Sequence, residues 1–347
     1  LAAELSYFRI LLAGSVFGLL NGALAGFWSG RGKTRVVMAV ELGMTVANIA
    51  LNYVLIFGYT PWGTLSPFGE MGIAGAAWGT VISAALGTAA YAILLLRPKH
   101  RVKFATNHWR PDRELLGRLW TFGSPSGLRF FLELLSFNVF AYLLGKLASA
   151  EREASNVALS VNALAFLPLI GIGNATSVLV GQSIGAKDIP SARRGVKNAI
   201  RMGVIYAIFA TAVFVIFPDA LLQIFRRDGD ESQVQVFKIA RVLLLFLAGY
   251  ITFDAVAIIF SHALSGAGDT KWTMYMNVGL SWGAFALPAI LADRLGGGLY
   301  SLWAILLAYI AIIAVIFALR FRQGKWEKMS VIGSRPTPTA DPIDFET

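Results

Sequence analysis

Three hundred and forty-seven residues could make two or three soluble domains, yet 56% of this chain is hydrophobic and only 14% charged, against roughly 45–50% and about 25% in ordinary globular proteins. So few charges cannot cover a surface in water, and a mean hydropathy of +0.64 marks an all-α integral membrane protein. The net charge of +10 is explained by basic cytoplasmic loops rather than by nucleic acid, and the lack of cysteine excludes disulfides, iron–sulfur clusters and thiolate zinc sites.

A membrane-crossing helix needs about 20 mostly apolar residues. Runs of that kind predict nine helices, at 6–28, 36–58, 72–96, 117–147, 154–184, 195–217, 236–264, 272–292 and 297–321. In the first, Gly14, Gly18, Gly22, Gly26 and Gly30 form a stripe at spacing four, which predicts close helix packing. Pro168, Gly171 and Gly173 predict bends in the fifth. At the C-terminal end the composition turns to Ser, Pro, Thr and Asp, predicting a disordered tail over 322–347.

The charge alternates from loop to loop. Loops and adjoining turns after the first, third, fifth and seventh helices, with the C-terminal end, hold 20 of the 30 Lys and Arg residues, while the other four loops hold 6. The basic set belongs in the cytoplasm. That places 97–116, 185–194 and the C-terminus inside and the first residue outside, in the inner membrane. Trp28, Trp62, Trp120, Trp272 and Trp326 fall near predicted helix ends, where an interfacial belt would put them.

Ser29-Gly30-Arg31-Gly32-Lys33-Thr34-Arg35 returns as Ser265-Gly266-Ala267-Gly268-Asp269-Thr270-Lys271, at an offset of 236. Both copies link two apolar helices on the same side of the membrane, so the repeat is parallel, as in transporters built from two homologous bundles. The chain then reads as a partial N-lobe over 1–98, a cytoplasmic inter-lobe loop over 99–116, a C-lobe over 117–321 and the tail. Four helices precede the second copy within its lobe and only one precedes the first. The plan this predicts is six plus six, with nine of twelve helices present and three lying upstream.

Ionisable groups inside membrane segments are expensive and mark function by default. Glu133 and Asp254 lie midway along the fourth and seventh runs, with Glu41, Arg129 and His262 completing the set. Tyr250 and Asp254 are one turn apart, with Ser261 and Ser265 continuing that stripe, while Ser126, Arg129 and Ser136 share a face with Glu133. Two acids inside a bundle can load a proton or a cation; the competing reading of Glu133 is a neutralising pair with Arg129. For His262 a satisfied helix-end role competes with a proton relay, and Glu41 is close enough to the basic loop to be solvated. Asn48 and Asn52, four apart, either line a cavity or bond between helices.

Together with the repeat loops, Asn48-Ile49-Ala50-Leu51-Asn52-Tyr53-Val54-Leu55-Ile56-Phe57-Gly58, Met71-Gly72-Ile73-Ala74-Gly75-Ala76-Ala77 and Ala175-Thr176-Ser177-Val178-Leu179-Val180-Gly181-Gln182 carry a likeness. The chain resembles the multidrug and toxic compound extrusion (MATE) family of cation-coupled efflux transporters, from that family's fourth helix to its twelfth. The resemblance implies two six-helix lobes in a V that rock between inward- and outward-open states. In the NorM-type branch an acid on the seventh helix and a Tyr-x-x-x-Asp on the tenth bind the coupling ion. Pro125 followed by Glu133 matches the first pattern and Tyr250 with Asp254 the second. In the DinF-like branch the fifth helix carries Asn and Asp four apart; Asn48 keeps the first and Asn52 replaces the acid, which favours the C-lobe acids.

The resulting expectation is an antiporter, not an enzyme, exporting small organic, often cationic compounds in exchange for Na⁺ or H⁺. Glu133, Asp254 and Tyr250 would hold the ion, Na⁺ sitting at the two acids, with Asn48, Asn52, Arg129, Ser136 and Ser261 in the substrate cavity. No cofactor beyond the coupling ion is expected, and the protein would act as a monomer in the bilayer. A lipid-linked saccharide flippase of the same superfamily and an inactive fragment are the alternatives. No HExxH or GxSxG motif points to catalysis.

Overall fold

The computed structural model describes residues 2–58, 69–104, 112–226 and 233–329. The described residues are helical throughout apart from turns, and nine helices are long and apolar enough to cross a membrane. Two compact units divide the chain, 1–112 and 113–347.

The first unit holds α1 (Ala2–Gly30), α2 (Thr34–Phe57), α3 (Gly72–Leu95) and the short α4 (Pro98–Phe104). α2 stops because Gly58 takes φ +68°, a left-handed cap whose N–H returns to Val54. On α3, Gly75, Gly79 and Gly87 bring the backbone against the Leu55 carbonyl, Asn52 and Met44 of α2, leaving no room for a methyl group. The glycine stripe of α1 behaves differently. Gly14 meets Val81, but a Cβ at Gly18, Gly22, Gly26 or Gly30 would touch nothing within 4 Å. At ~100° per residue a spacing of four rotates by ~40° each step, so the stripe winds off the α3 face. Asn21 carries that contact instead, donating to the Ala84 carbonyl at 2.9 Å.

The second unit runs α5 (Arg113–Gly145), α6 (Ser149–Gly185), α7 (Ile189–Ile216), α8 (Pro218–Gln223), α9 (Gln233–Gly266), α10 (Thr270–Leu280), a π turn (Ser281–Ala286), α11 (Leu287–Arg294), α12 (Leu299–Arg322) and a 3₁₀ turn (Lys325–Lys328). α9 is the centre, with Leu243, Leu244 and Leu247 wholly buried and α6, α7 and α12 around it. Glycines again set the closest approaches: Gly173 against His262, Gly203 against Ile259, and Gly266 against the Ser177 backbone. Asp188 caps α7, accepting from the Ser191 amide at 3.0 Å, and bonding from Ser191 holds its carboxyl below the usual range.

Each predicted helix exists, but most extend beyond the predicted ends. The fifth begins at Ser149 rather than 154, because polar turns past the apolar run stay hydrogen-bonded without adding hydropathy. The eighth is interrupted by the π turn. The tail is also shorter than expected, since Trp326 is 1% exposed, stacks on Phe321 at 4.8 Å, and is followed by Glu327 pairing with Arg193. The stretch after Met329 lies outside the described residues, as does Trp62. Trp28 is 5% exposed and so, like Trp326, packs inward instead of joining a belt, while Trp120 stays open.

The two repeat loops share one backbone pattern. Gly32 and Gly268 both take positive φ, +71° and +93°. The Gly32 amide reaches the Ser29 carbonyl at 2.9 Å and Lys33 reaches Trp28 at 2.9 Å; in the second copy Gly268 reaches Ser265 at 3.0 Å and Asp269 reaches Leu264 at 2.9 Å. In that second copy Asp269 is buried and receives the Arg320 Nε–H at 2.8 Å, the two side chains being 5% and 10% exposed. Arg320→Leu leaves a buried carboxylate without its partner, which costs about 3–5 kcal/mol. Thermal unfolding in detergent is expected to drop accordingly, and Asp269→Asn in the same chain to recover most of it.

Candidate functional site

Within the second unit, Pro125 sits buried inside α5, two turns before Glu133. α5 packs against α10 and the π turn rather than against α9, so the acid faces of α5 and α9 meet through side chains. Glu133 and Asp254 are each half-buried and lie within electrostatic range of one another. Among the described residues, neither carboxylate takes part in a hydrogen bond or ion pair. Tyr250, one turn before Asp254 and 1% exposed, is within the same range of it.

Arg129 does not close on Glu133. Its Nη1 donates to Ser261 Oγ on α9 at 2.9 Å, its Nε is buried without a partner, and it acts on Glu133 only through space. A neutralising salt bridge, the alternative reading of Glu133, is absent from the ion pairs of the described residues. His262, beside Ser261, packs over Gly173 of α6 and feels the Arg129 charge. Ser136 is buried, and its hydroxyl donates at 2.9 Å to the Glu133 carbonyl.

One member of the cluster has no counterpart among the expected residues. Tyr309 of α12 lies within electrostatic range of Glu133, Asp254 and Arg129 and stacks on Phe285 of the π turn at 5.1 Å. Trp282, also in that turn, donates to the Leu132 carbonyl at 3.2 Å, one residue before the acid. The wide turn therefore supports both α5 and the tyrosine. Pro288, just past it, was the available signal, since a proline inside an apolar run leaves a carbonyl unfilled one turn earlier.

The asparagines belong to the first unit. Asn52 Nδ2 donates to Asn48 Oδ1 at 3.2 Å, and Asn48 Nδ2 reaches Thr80 and Ser83 of α3, each at 3.4 Å, leaving Asn52 Oδ1 buried and unpartnered. Glu41 accepts from the buried Tyr91 hydroxyl at 3.3 Å. Among the described residues no three His, Cys, Asp or Glu side chains gather to hold a metal. The site is thus two open carboxylates and two phenols, a set of hard oxygen donors, with a guanidinium tied to Ser261 beside them.

Nine helices long and apolar enough to cross a membrane, with no strand among the described residues, define a polytopic helical membrane protein. The MatE family model matches residues 125–288. The chain is 26% identical over 302 residues to a probable multidrug resistance protein NorM of Neisseria meningitidis serogroup B, covering 86% of this chain and 63% of that protein. It is 30% identical over 316 residues to the multidrug resistance protein NorM of Burkholderia vietnamiensis, covering 90% and 66%. An outward-facing multidrug resistance MATE family transporter shares the fold, with a TM-score of 0.80 at 18% identity over 93% of this chain and 70% of that one. The chain belongs to the MATE family. It spans 63% of the length of the meningococcal relative.

Proposed function

We propose that this chain works as a cation-coupled antiporter that exports small organic, often cationic compounds by alternating access. The observation that carries the reading is the pair of unengaged carboxylates, Glu133 on α5 and Asp254 on α9, within electrostatic range of one another. With Arg129 beside them the three formal charges leave a net of minus one, which a single monovalent cation or proton cancels. Sodium suits the oxygen donors of Glu133, Asp254, Tyr250 and Tyr309, as a hard cation prefers carboxylate and neutral oxygen to nitrogen or sulfur; a proton would simply reside on one carboxyl. Either ligand removes charge repulsion between α5 and α9 and so favours one arrangement of the two helices over another. The names of the NorM relatives support export of drugs.

The test is efflux of a fluorescent organic cation from proteoliposomes under imposed Na⁺ and pH gradients. Transport driven by one of the gradients and collapsing with it supports the proposal. Equal rates with and without gradients would remove the coupling.

The orientation is proposed from charge, with the basic loops and the C-terminus in the cytoplasm of an inner membrane. Since the chain has no cysteine, Gly185→Cys at the end of α6 supplies a single thiol. An impermeant maleimide is expected to label it in opened vesicles and not in intact cells; efficient labelling of intact cells would invert the topology. Asn107, the other labelling position the charge pattern suggests, lies outside the described residues.

A further inference from the structure

The turn after α1 and the short α4 enclose a guanidinium that pairs with no carboxylate among the described residues. Arg31 Cζ stands 4.1 Å from the Phe104 ring centre, 4.9 Å from Phe27 and 5.6 Å from Trp28. His100 closes the cluster, 5.0 Å from Trp28 and 6.1 Å from Phe104. Three nitrogens here are buried without a hydrogen-bond partner: Trp28 Nε1, Arg31 Nη1 and His100 Nδ1. Trp28 itself is 5% exposed. Buried polar atoms are nearly always paired, and an unpaired one costs about 1–3 kcal/mol. Indole and guanidinium nitrogens can only donate, and an imidazole Nδ1 can donate as well. The missing group is therefore an acceptor, and next to a cation an anionic acceptor fits best.

The surrounding charge points the same way. Lys33, Arg35, Arg97, Lys99 and Arg101 flank the cluster along the turn and α4. The acids of the neighbouring helices stand elsewhere: Glu41 is bonded to Tyr91, and Glu4 is at the opposite end of α1. Burial, with the charges of Arg31, Lys99 and Arg97, holds the His100 imidazole below its ordinary value.

The internal repeat supplies a contrast. Beside the second copy, Arg320 of α12 lies over an indole, 4.8 Å from Trp272, and donates to the Asp269 carboxylate at 2.8 Å. The residue matching Asp269 in the first copy is Lys33. Arg31 itself answers to Ala267, so the first copy holds a cation over aromatic rings where the second holds none, and has Lys33 where the second has a carboxylate.

We infer that Arg31, Trp28 and His100 form a binding site for a phosphate group, carried by an anionic phospholipid or taken up as free phosphate. Arg31 follows directly on the membrane-crossing stretch that ends at Gly30, and α4 starts three residues after α3 ends at Leu95. That is headgroup depth, where basic pockets between helices take acidic lipids, and a guanidinium matches phosphate oxygens two at a time.

Native mass spectrometry of the detergent-solubilised chain, titrated with phosphatidylglycerol or phosphatidylcholine, reads the lipid arm. Thermal shift with inorganic phosphate against chloride at equal ionic strength reads the soluble arm. Phosphatidylglycerol is expected to bind in preference, with Arg31→Gln weakening it about tenfold and Trp28→Phe, which keeps the ring and removes the donor, about threefold. Arg201→Gln, an exposed charge on α7, is expected to change nothing. Arg31→Lys keeps the charge and falls between, so the series remains readable even where Arg31→Gln folds poorly. Arg31-dependent stabilisation by inorganic phosphate alone upholds the site and assigns it to the soluble source. Equal losses in Arg31→Gln and Arg201→Gln, or equal binding of both lipids with no response to phosphate, would overturn it.

Discussion

Asp254→Asn is expected to abolish ion-driven efflux while the protein still folds and inserts. The amide has nearly the shape of the carboxylate, and the half-buried carboxylate it replaces has no hydrogen-bond or ion-pair partner to lose among the described residues. Removing an unpaired charge from such a place is neutral or stabilising, so the melting temperature should match or exceed that of the unaltered protein. Transport is another matter. Swinging a two-state population from 1:99 to 99:1 requires about 5.5 kcal/mol of differential affinity. A carboxylate that gains a proton or Na⁺ in one state can supply that; a neutral amide cannot. The measurement is gradient-driven efflux of a fluorescent cation together with thermal unfolding. Unchanged rates under both Na⁺ and pH gradients would take Asp254 out of the mechanism.

Glu133→Gln is expected to cut driven efflux by about 100-fold or more, again without a matching loss of stability. Arg129 is tied to Ser261, so losing Glu133 strands no ion pair. The remaining Asp254 and Arg129 sum to zero charge, which leaves no electrostatic reason for a monovalent cation to enter. Adding Arg129→Leu restores the net of minus one on Asp254 alone, and ion binding should return in part while coupled efflux does not, since the α5 side no longer responds. Isothermal titration with Na⁺, and with protons by pH jump, separates the two. A large drop in melting temperature for Glu133→Gln, cured by Arg129→Leu, would instead make the acid a mere counter-ion.

Helices were the legible part of this chain, because twenty apolar residues can do little else in a bilayer. The repeat loops were legible too, since Gly32 and Gly268 hold turns that glycine adopts most readily. Glu133 and Asp254 could be found because charge is rare in such runs. Tyr309 could not: it lies in the most apolar of the membrane-crossing stretches of the described residues, and nothing in that run says which face meets the acids. The partner of Arg129 was hidden for the same reason. Helical spacing orders residues within one element, whereas Ser261 lies 132 positions away on another. The buried Trp28 and Trp326 show a further limit, as an indole near a helix end suits a lipid interface and a lobe interior equally well.

The glycine contacts of α9 carry one more consequence. Along α6 and α7 the central helix is fitted closely, backbone to backbone where Gly266 meets Ser177 and with the Ile259 side chain pressed onto Gly203, with little slack for sliding. Toward α5 it presents polar groups, the Arg129–Ser261 bond and the Glu133 and Asp254 acids. Dry, interlocked seams resist separation, whereas a wet polar seam can part and reseal as water and ions come and go. α9 is thus the anvil of this unit and α5, which carries Pro125 within it and rests on the π turn, the part that yields. Substitutions that loosen α6 would then blunt the response to the ion from a distance, by letting the anvil move as well.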